Sequence, residues 1–476
     1  MLRSRLLLPL VLLGVSSPAA AIHRVEVDMT FANAGVLLLE NPALDARVIA
    51  NLPVSDGGAM IVIAYEGGDC STDHTCISLL RIAEDGDFVP VNGLPTPAAT
   101  FDVVDSAAID SQDRVVVVGS RNVGGDDYDV HVARLLSTGG ADLTFNGFGS
   151  NTIAFDRGGA NADFGHGVAI DAQDRVVVVG QAERGSALDT DFAIARLRAN
   201  GTLDDSFGPN TGAQAGSVIV PFDLRSQGRT DVARAVAIGA DGGIVVAGTV
   251  RDHDLGILRL GIARLDAAGA YDTDWCNPDC QYNDYPVGNG RRTSYIGNSG
   301  DGRTHDVSDV AVGDGGEVLI VGTARAPGEI QGYIQRFAYD GEYQYETRLD
   351  AGDPTVDTQM GSVNQVRRDQ PASDVIVSGT TGAPGARTFF AQRLTYTLAP
   401  VSDWGGNDPQ GSVIHFNGTG SLFDPGNNQP GLSRLDTRGR LLVAGAIEYP
   451  NAGGPHAGVA ARLTSSEQIF FDGFED

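Results

Sequence analysis

Val176-Val177-Val178-Val179-Gly180, then Ala195-Arg196-Leu197, then Leu203-Asp204-Asp205-Ser206-Phe207-Gly208: this stretch decides the fold, because its pieces return along the chain in the same order. The apolar run closing on a small residue recurs at Ala64, Gly119, Gly180, Gly248, Gly322, Gly379 and Gly445, and the second piece at Arg81, Arg134, Arg196, Arg264, Arg336, Arg393 and Arg462. Seven copies of each stay in step about sixty residues apart, the signature of a repeat architecture. A short β-branched run reads as a strand. Turns such as Asp241-Gly242-Gly243 precede it, where glycine supplies the positive φ of a tight hairpin.

Working outward, a further strand such as Val236-Ala237-Ile238 stands before each turn, the Ala-Arg-Leu piece is a third strand, and Ser217-Val218-Ile219-Val220-Pro221-Phe222 is a fourth. Four antiparallel strands, repeated, make a propeller blade. The fold expected is all-β, a seven-bladed β-propeller over residues 22–466. Asp28-Met29-Thr30-Phe31 and Gly35-Val36-Leu37-Leu38-Leu39 form an aromatic cluster and fourth strand with no first three before them, while the last unit stops at Arg462-Leu463. These complementary deficits imply that the N-terminal strand completes the last blade, removing an open edge. An open solenoid has no reason for such ends, and two sandwiches none for seven markers in step.

Residues 1–21 read as a signal peptide: Arg3 and Arg5, the apolar run from Leu6 to Val15, and Ala19-Ala20-Ala21 before a cut at Ile22. The run is too short to span a bilayer, so a secreted protein, periplasmic or extracellular, is expected, with no transmembrane segment. Without the leader, 31 basic residues stand against 61 acidic, a balance that repels phosphate backbones and excludes nucleic acid as a partner. Cys70 with Cys76 and Cys276 with Cys280 are read as two short disulfides of an oxidising compartment. Zinc is the competing reading, although these spacings are not the usual C-x2-C pairs.

At the hydrophobic-glycine, Phe-x-x-x-Arg-Leu and Leu-Asp-x-Ser-Phe-Gly steps the chain resembles the bacterial β-propellers built of delta-60 repeats, most closely from Val168 to Gly208. The resemblance implies an exported or surface propeller and carries no catalytic residues with it. Residues 467–476, ending Phe470-Phe471-Asp472-Gly473-Phe474-Glu475-Asp476, look like a short tail of secreted proteins. It either engages a sorting factor or packs on the last blade.

The recurrent Arg is read as scaffold, each one paired with a carboxylate of its own blade such as Asp204 or Asp142. No Gly-x-Ser-x-Gly, His-Glu-x-x-His or P-loop occurs. No cofactor is expected. Asp189 and Asp191, and Asp272 and Asp274, are candidate ligands for a structural calcium, like the doublet around Asp127 and Asp129, but none carries a full twelve-residue loop. Where the units diverge in polar character, a site can sit. Counting back to one offset from the apolar-glycine strands gives Asp105, His166 and Arg234, with Asp309 one position further on and Arg367 in the irregular sixth unit, all placed at the channel entrance. The loops 65–75, 120–129, 323–332 and 446–456 are expected to open on that face.

Two functions follow. The first is a non-catalytic binding or scaffold module for a protein or glycan partner. The alternative is a periplasmic or extracellular hydrolase or lyase, with His166 as acid or base and Arg234 or Arg367 holding an anion.

Overall fold

The computed structural model describes residues 25–465 except 29, 32–35, 40–43, 68–69, 71–73, 90–98, 187–188, 209–213, 223, 225–229, 253–255, 277–289, 296–301, 351–356, 366–373, 383–387, 402–412, 417–428, 437 and 449–455. The leader 1–21, the tail 467–476, Arg367 and Cys280 therefore lie outside the described residues.

Val176-Val177-Val178-Val179 is apolar without alternation because both faces of its strand are covered. Val176 and Val178 pack with Val116 and Val118 of the preceding unit. Val177 and Val179 pack with Ile244 and Val246 of the following one. The same division holds at Val115 and Val117, which face Met60, Val62 and Ala64. Full burial of each such side chain is worth about 1.5–3 kcal/mol, so a run buried on both sides contributes twice what an alternating strand of that length would.

Around that strand, Phe164–Ile170, Val176–Ser186, Asp189–Leu197 and Ser217–Val220 form one antiparallel four-stranded sheet. In its register Val178 stands opposite Val168 on one side and Ala195 on the other. Further four-stranded sheets lie within 103–153, 231–294, 304–349 and 358–416. The chain is all-β; among the described residues there is no α-helix, and so none long and apolar enough to cross a membrane.

The remaining strands make one larger sheet. Leu44–Pro53, Ala59–Gly67 and Thr75–Ile82 follow one another in it, as do Leu432–Leu435, Leu441–Glu448 and His456–Ser465. The two series join through a short parallel pair, Leu432 opposite Ala50 and Ser433 opposite Asn51. Val25–Val27 and Val36–Leu39 both pair antiparallel with His456–Ser465. Innermost strands touch in sequence, 44–53 to 103–109 to 164–170 to 231–238 to 304–312 to 358–365 to 432–435, and the last touches 44–53 again.

The recurrent arginines pair as their spacing suggests and also reach into the next sheet. Arg196 Nε donates to Asp204 Oδ2 at 2.8 Å, its Nη1 donates to the Ala267 carbonyl, and the guanidinium lies over Phe207. Arg134 does the same with Asp142, Ala199 and Phe145. Arg264 and Arg336 reach the carbonyls of Tyr339 and Tyr396. Charge-assisted bonds from a rigid fork suit a buried site that must satisfy two directions at once. Phe145 in turn seats on Gly201 of the following sheet, where φ is +82° and a Cβ would stand 2.6 Å from the ring.

One expectation, on the loops, is corrected here. The loops expected at 120–129 and 323–332 are hairpin arms: Val115–Gly124 pairs with Asp127–Leu135, and Val318–Ala326 with Glu329–Phe337, so only two residues turn each corner. Cys70 and Cys76 are disulfide-bonded, while Cys276 is buried and its expected partner lies outside the described residues.

Candidate functional site

A β-bulge places the site. The innermost strand carries one unpaired extra residue between Val48 and Ala50, between Val104 and Ser106, between Gly165 and Gly167, between Ala233 and Ala235, between Val307 and Asp309, and between Met360 and Ser362. Those residues are Ile49, Asp105, His166, Arg234, Ser308 and Gly361. Between the pairs Pro430–Gly445 and Arg434–Leu442 the innermost strand again has one residue more than its partner, which places Gly431 in the same row. A bulged residue leaves the ladder and re-aims its side chain. All of these line two adjoining cavities, one of about 260 Å³ containing Ile49, Asp105, Ser308, Gly361 and Gly431, the other of about 60 Å³ containing Asp105, His166, Arg234 and Ser308. Beyond them a third cavity of about 580 Å³ is walled mainly by apolar residues such as Leu52, Val168, Val236 and Val310.

Three of the expected residues meet. His166 Nδ1 lies 3.2 Å from Asp105 Oδ2 and 3.4 Å from Arg234 Nη1, although the three come from different sheets. One nitrogen cannot donate to the carboxylate and accept from the guanidinium together. Donation to the charged Asp105 is the stronger bond, and it leaves Arg234 without an acceptor among the described residues. It also makes Nε2 the free nitrogen of the neutral ring, and Nε2 is buried with no hydrogen-bond partner among the described residues. Asp105 keeps its other oxygen available, its side chain being 31% exposed.

Asp309 lines the smaller cavity with these three, but its oxygens are already occupied. Its carboxylate accepts from the backbone N–H of Val310 and Val363 and from Arg434 at 2.8 and 3.3 Å, so it ties neighbouring sheets together and has no capacity to spare. Ser308 is its true counterpart in the row. Arg367 lies outside the described residues. The position equivalent to His166 in the strand Thr358–Gln365 is Gly361. Sequence reasoning missed Arg47, which lines the larger cavity. Its only signal was a charge two residues before an otherwise apolar bulge.

Three of the four proposed calcium ligands are taken by arginines. Asp189 Oδ1 accepts from Arg184 at 2.9 Å, Asp191 Oδ2 from Arg157 at 2.7 Å, and Asp272 Oδ2 faces Arg264 Nε at 3.0 Å. Asp274 donates its backbone N–H to Asp272. No group of three or more His, Cys, Asp or Glu side chains is placed to hold a metal ion among the described residues. Near Asp127, burial pushes Asp129 up to about 6, with Asp127 and Asp156 adding to the shift.

Residues 174–207 match the model of a family described as a domain of unknown function (DUF5122) beta-propeller. That segment holds the strand Val176–Ser186, Arg196 and Asp204, and the match supports a β-propeller family. Among curated proteins nothing matches. Similar solved structures include a protein of unknown function from Dyadobacter fermentans, with 11% identity over 90% of this chain and 99% of that one, at a TM-score of 0.45. A gluconolactonase from Xanthomonas campestris follows at 13% identity, 90% and 97% coverage and 0.36. The β-propeller domain of the Trilobed protease from Pyrococcus furiosus has 10% identity, 80% and 97% coverage and 0.31. None of them transfers an activity to this chain.

Proposed function

We propose that the chain is an exported, non-catalytic binding module: a seven-bladed β-propeller of the delta-60 repeat kind, closed by its N-terminal strands, whose channel mouth recognises a protein or glycan partner. The returning circuit of innermost strands and the pairing of Val36–Leu39 with His456–Ser465 support closure. The signal-peptide pattern, the Cys70–Cys76 disulfide and the acidic surface support export.

The observation that carries the binding reading is the burial of His166 Nε2. A hydrolase or lyase at this mouth needs that nitrogen within hydrogen-bond reach of a substrate proton. The Asp105–His166 contact favours the enzymatic reading because it orients the ring as a base's partner does, but the free nitrogen it leaves is turned into the wall. Arg234, Asp105 and Ser308 remain accessible, and they can recognise a ligand without reacting with it.

The test is binding of the mature protein to a glycan array and to secreted and envelope protein fractions, run beside ester, lactone and glycoside turnover. The expected result is a partner lost on Arg234→Ala, with no turnover. Turnover by the wild type that disappears in His166→Ala would overturn the reading.

A further inference from the structure

The sequence contains no lysine, so all 33 of its permanently cationic side chains are arginines. Most described arginines hold a carboxylate, as expected where 61 acidic residues are available. Arg47 and Arg234 are exceptions. Arg234 has only the 3.4 Å contact with His166, and Arg47, half-buried, has no polar partner among the described residues. They line adjoining cavities that share Asp105, Ser308 and Leu432 as walls. Asp309 on the same wall is already paired with Arg434, so two guanidinium groups without an ion pair among the described residues stand against the one carboxylate of Asp105 at this mouth, a local positive balance that a ligand anion can fill.

The rest of the mouth narrows the ligand. Asp105, half free, and Ser308 offer an acceptor and a hydroxyl on the same wall, so hydroxyl groups on the ligand find partners. Ile49, Leu432, Pro430 and Met360 supply an apolar side, against which the C–H face of a sugar ring packs. A cavity of about 260 Å³ falls just under the roughly 300–1,000 Å³ of drug-sized sites, so little more than one ring is held. The carboxylate of Asp105 and the net charge of −28 disfavour a multiply charged anion more than a singly charged one. A planar carboxylate also matches the arginine fork.

From this, and resting on the mouth being the binding site, we infer that its ligand is a single sugar acid, a uronic or aldonic acid, free or as the terminal residue of an acidic glycan. The carboxylate lies between Arg47 and Arg234, and the hydroxyls meet Asp105 and Ser308.

Calorimetric titration of the full mature chain with glucuronate, gluconate, a short oligouronide, glucose, methyl glucuronate ester and inorganic phosphate tests this. Glucuronate or gluconate should bind at least about tenfold more tightly than glucose or the ester, and Arg234→Gln and Arg47→Gln should each weaken it about tenfold to a hundredfold, the range for a charged hydrogen bond. Unchanged melting temperatures establish that both variants are folded, and Arg47→Met serves if the first is not. Tighter binding of the oligouronide supports the glycan-terminal source, and equal or weaker binding the free acid. Equal affinity for glucose, preference for phosphate, or binding unaffected by both variants overturns the inference. If no acid binds but another glycan or a protein binds and is lost with Arg234→Gln, the sugar-acid inference fails while the mouth remains the site. If no ligand responds to mouth variants, both fall.

Discussion

Replacing Arg462 with alanine should destabilise the protein by about 3 kcal/mol, and the loss should depend on Asp28. The Arg462 side chain is 1% exposed and that of Asp28 12%. Nε donates to Asp28 Oδ2 at 2.7 Å, Nη2 to Thr30 Oγ1 at 3.0 Å and Nη1 to the Glu84 carbonyl at 3.0 Å, while the guanidinium stands over Phe31. One side chain therefore joins the N-terminal segment, the last strand and the turn that follows Thr75–Ile82. Removing one partner of a buried pair costs about 3–5 kcal/mol, and the partial exposure of Asp28 puts this case at the lower end. Burial alone would raise the Asp28 pKa, but hydrogen bonds from Thr30 and the Arg462 guanidinium hold it below its ordinary 3.8. A depressed carboxylate stabilises above its unfolded pKa and loses that contribution as pH falls through the folded value. The advantage of wild type over Arg462→Ala should therefore be full at pH 7 and shrink below about pH 4. Urea unfolding of wild type, Arg462→Ala, Asp28→Ala and the double variant measures both effects. A single-variant loss under about 1 kcal/mol, or additive losses in the double variant, would refute the clasp.

Two further substitutions probe the scaffold elsewhere. Asp129→Asn should stabilise at pH 8 by on the order of 1–2 kcal/mol and hardly at pH 3, below the unfolded value of 3.8. The folded pKa of about 6, raised by burial and then by Asp127 and Asp156, means that the native state resists ionisation which the unfolded chain accepts; equal effects at both pH values in urea midpoints would contradict it. Gly201→Ala should cost more than Gly185→Ala by about 1–3 kcal/mol, because both have positive φ but only Gly201 would bring a Cβ against Phe145, Gly185 having nothing within 4 Å; similar melting temperatures for the two would argue against that seat.

The scaffold was legible because its demands repeat. A strand buried on both faces must be apolar throughout, and Arg196 must find Asp204, so the same letters return in each unit. The second direction of each arginine was not legible, since a backbone carbonyl such as that of Ala267 leaves no trace in composition. The mouth was half legible. Asp105, His166 and Arg234 lie at a constant offset because their hairpin turns have one length, so counting found them. The offset in the next unit gives Ser308, and the charge of Asp309 drew attention one residue too far. In the sheet after that the same offset from Gly379 falls on Gln365, four residues past the bulged Gly361, and the charge of Arg367 drew attention two residues further.

The bulge separates two kinds of residue that most strands bind together. Because Ile49, Asp105, His166, Arg234, Ser308 and Gly361 stand outside the ladder, their identities are not constrained by strand pairing, and the pairs on either side hold register whatever occupies them. Duplicating or exchanging a unit in evolution would thus bring a new letter to the rim with the frame unaltered. The rim can be respelled, by descent or by a designer's library, one position per sheet.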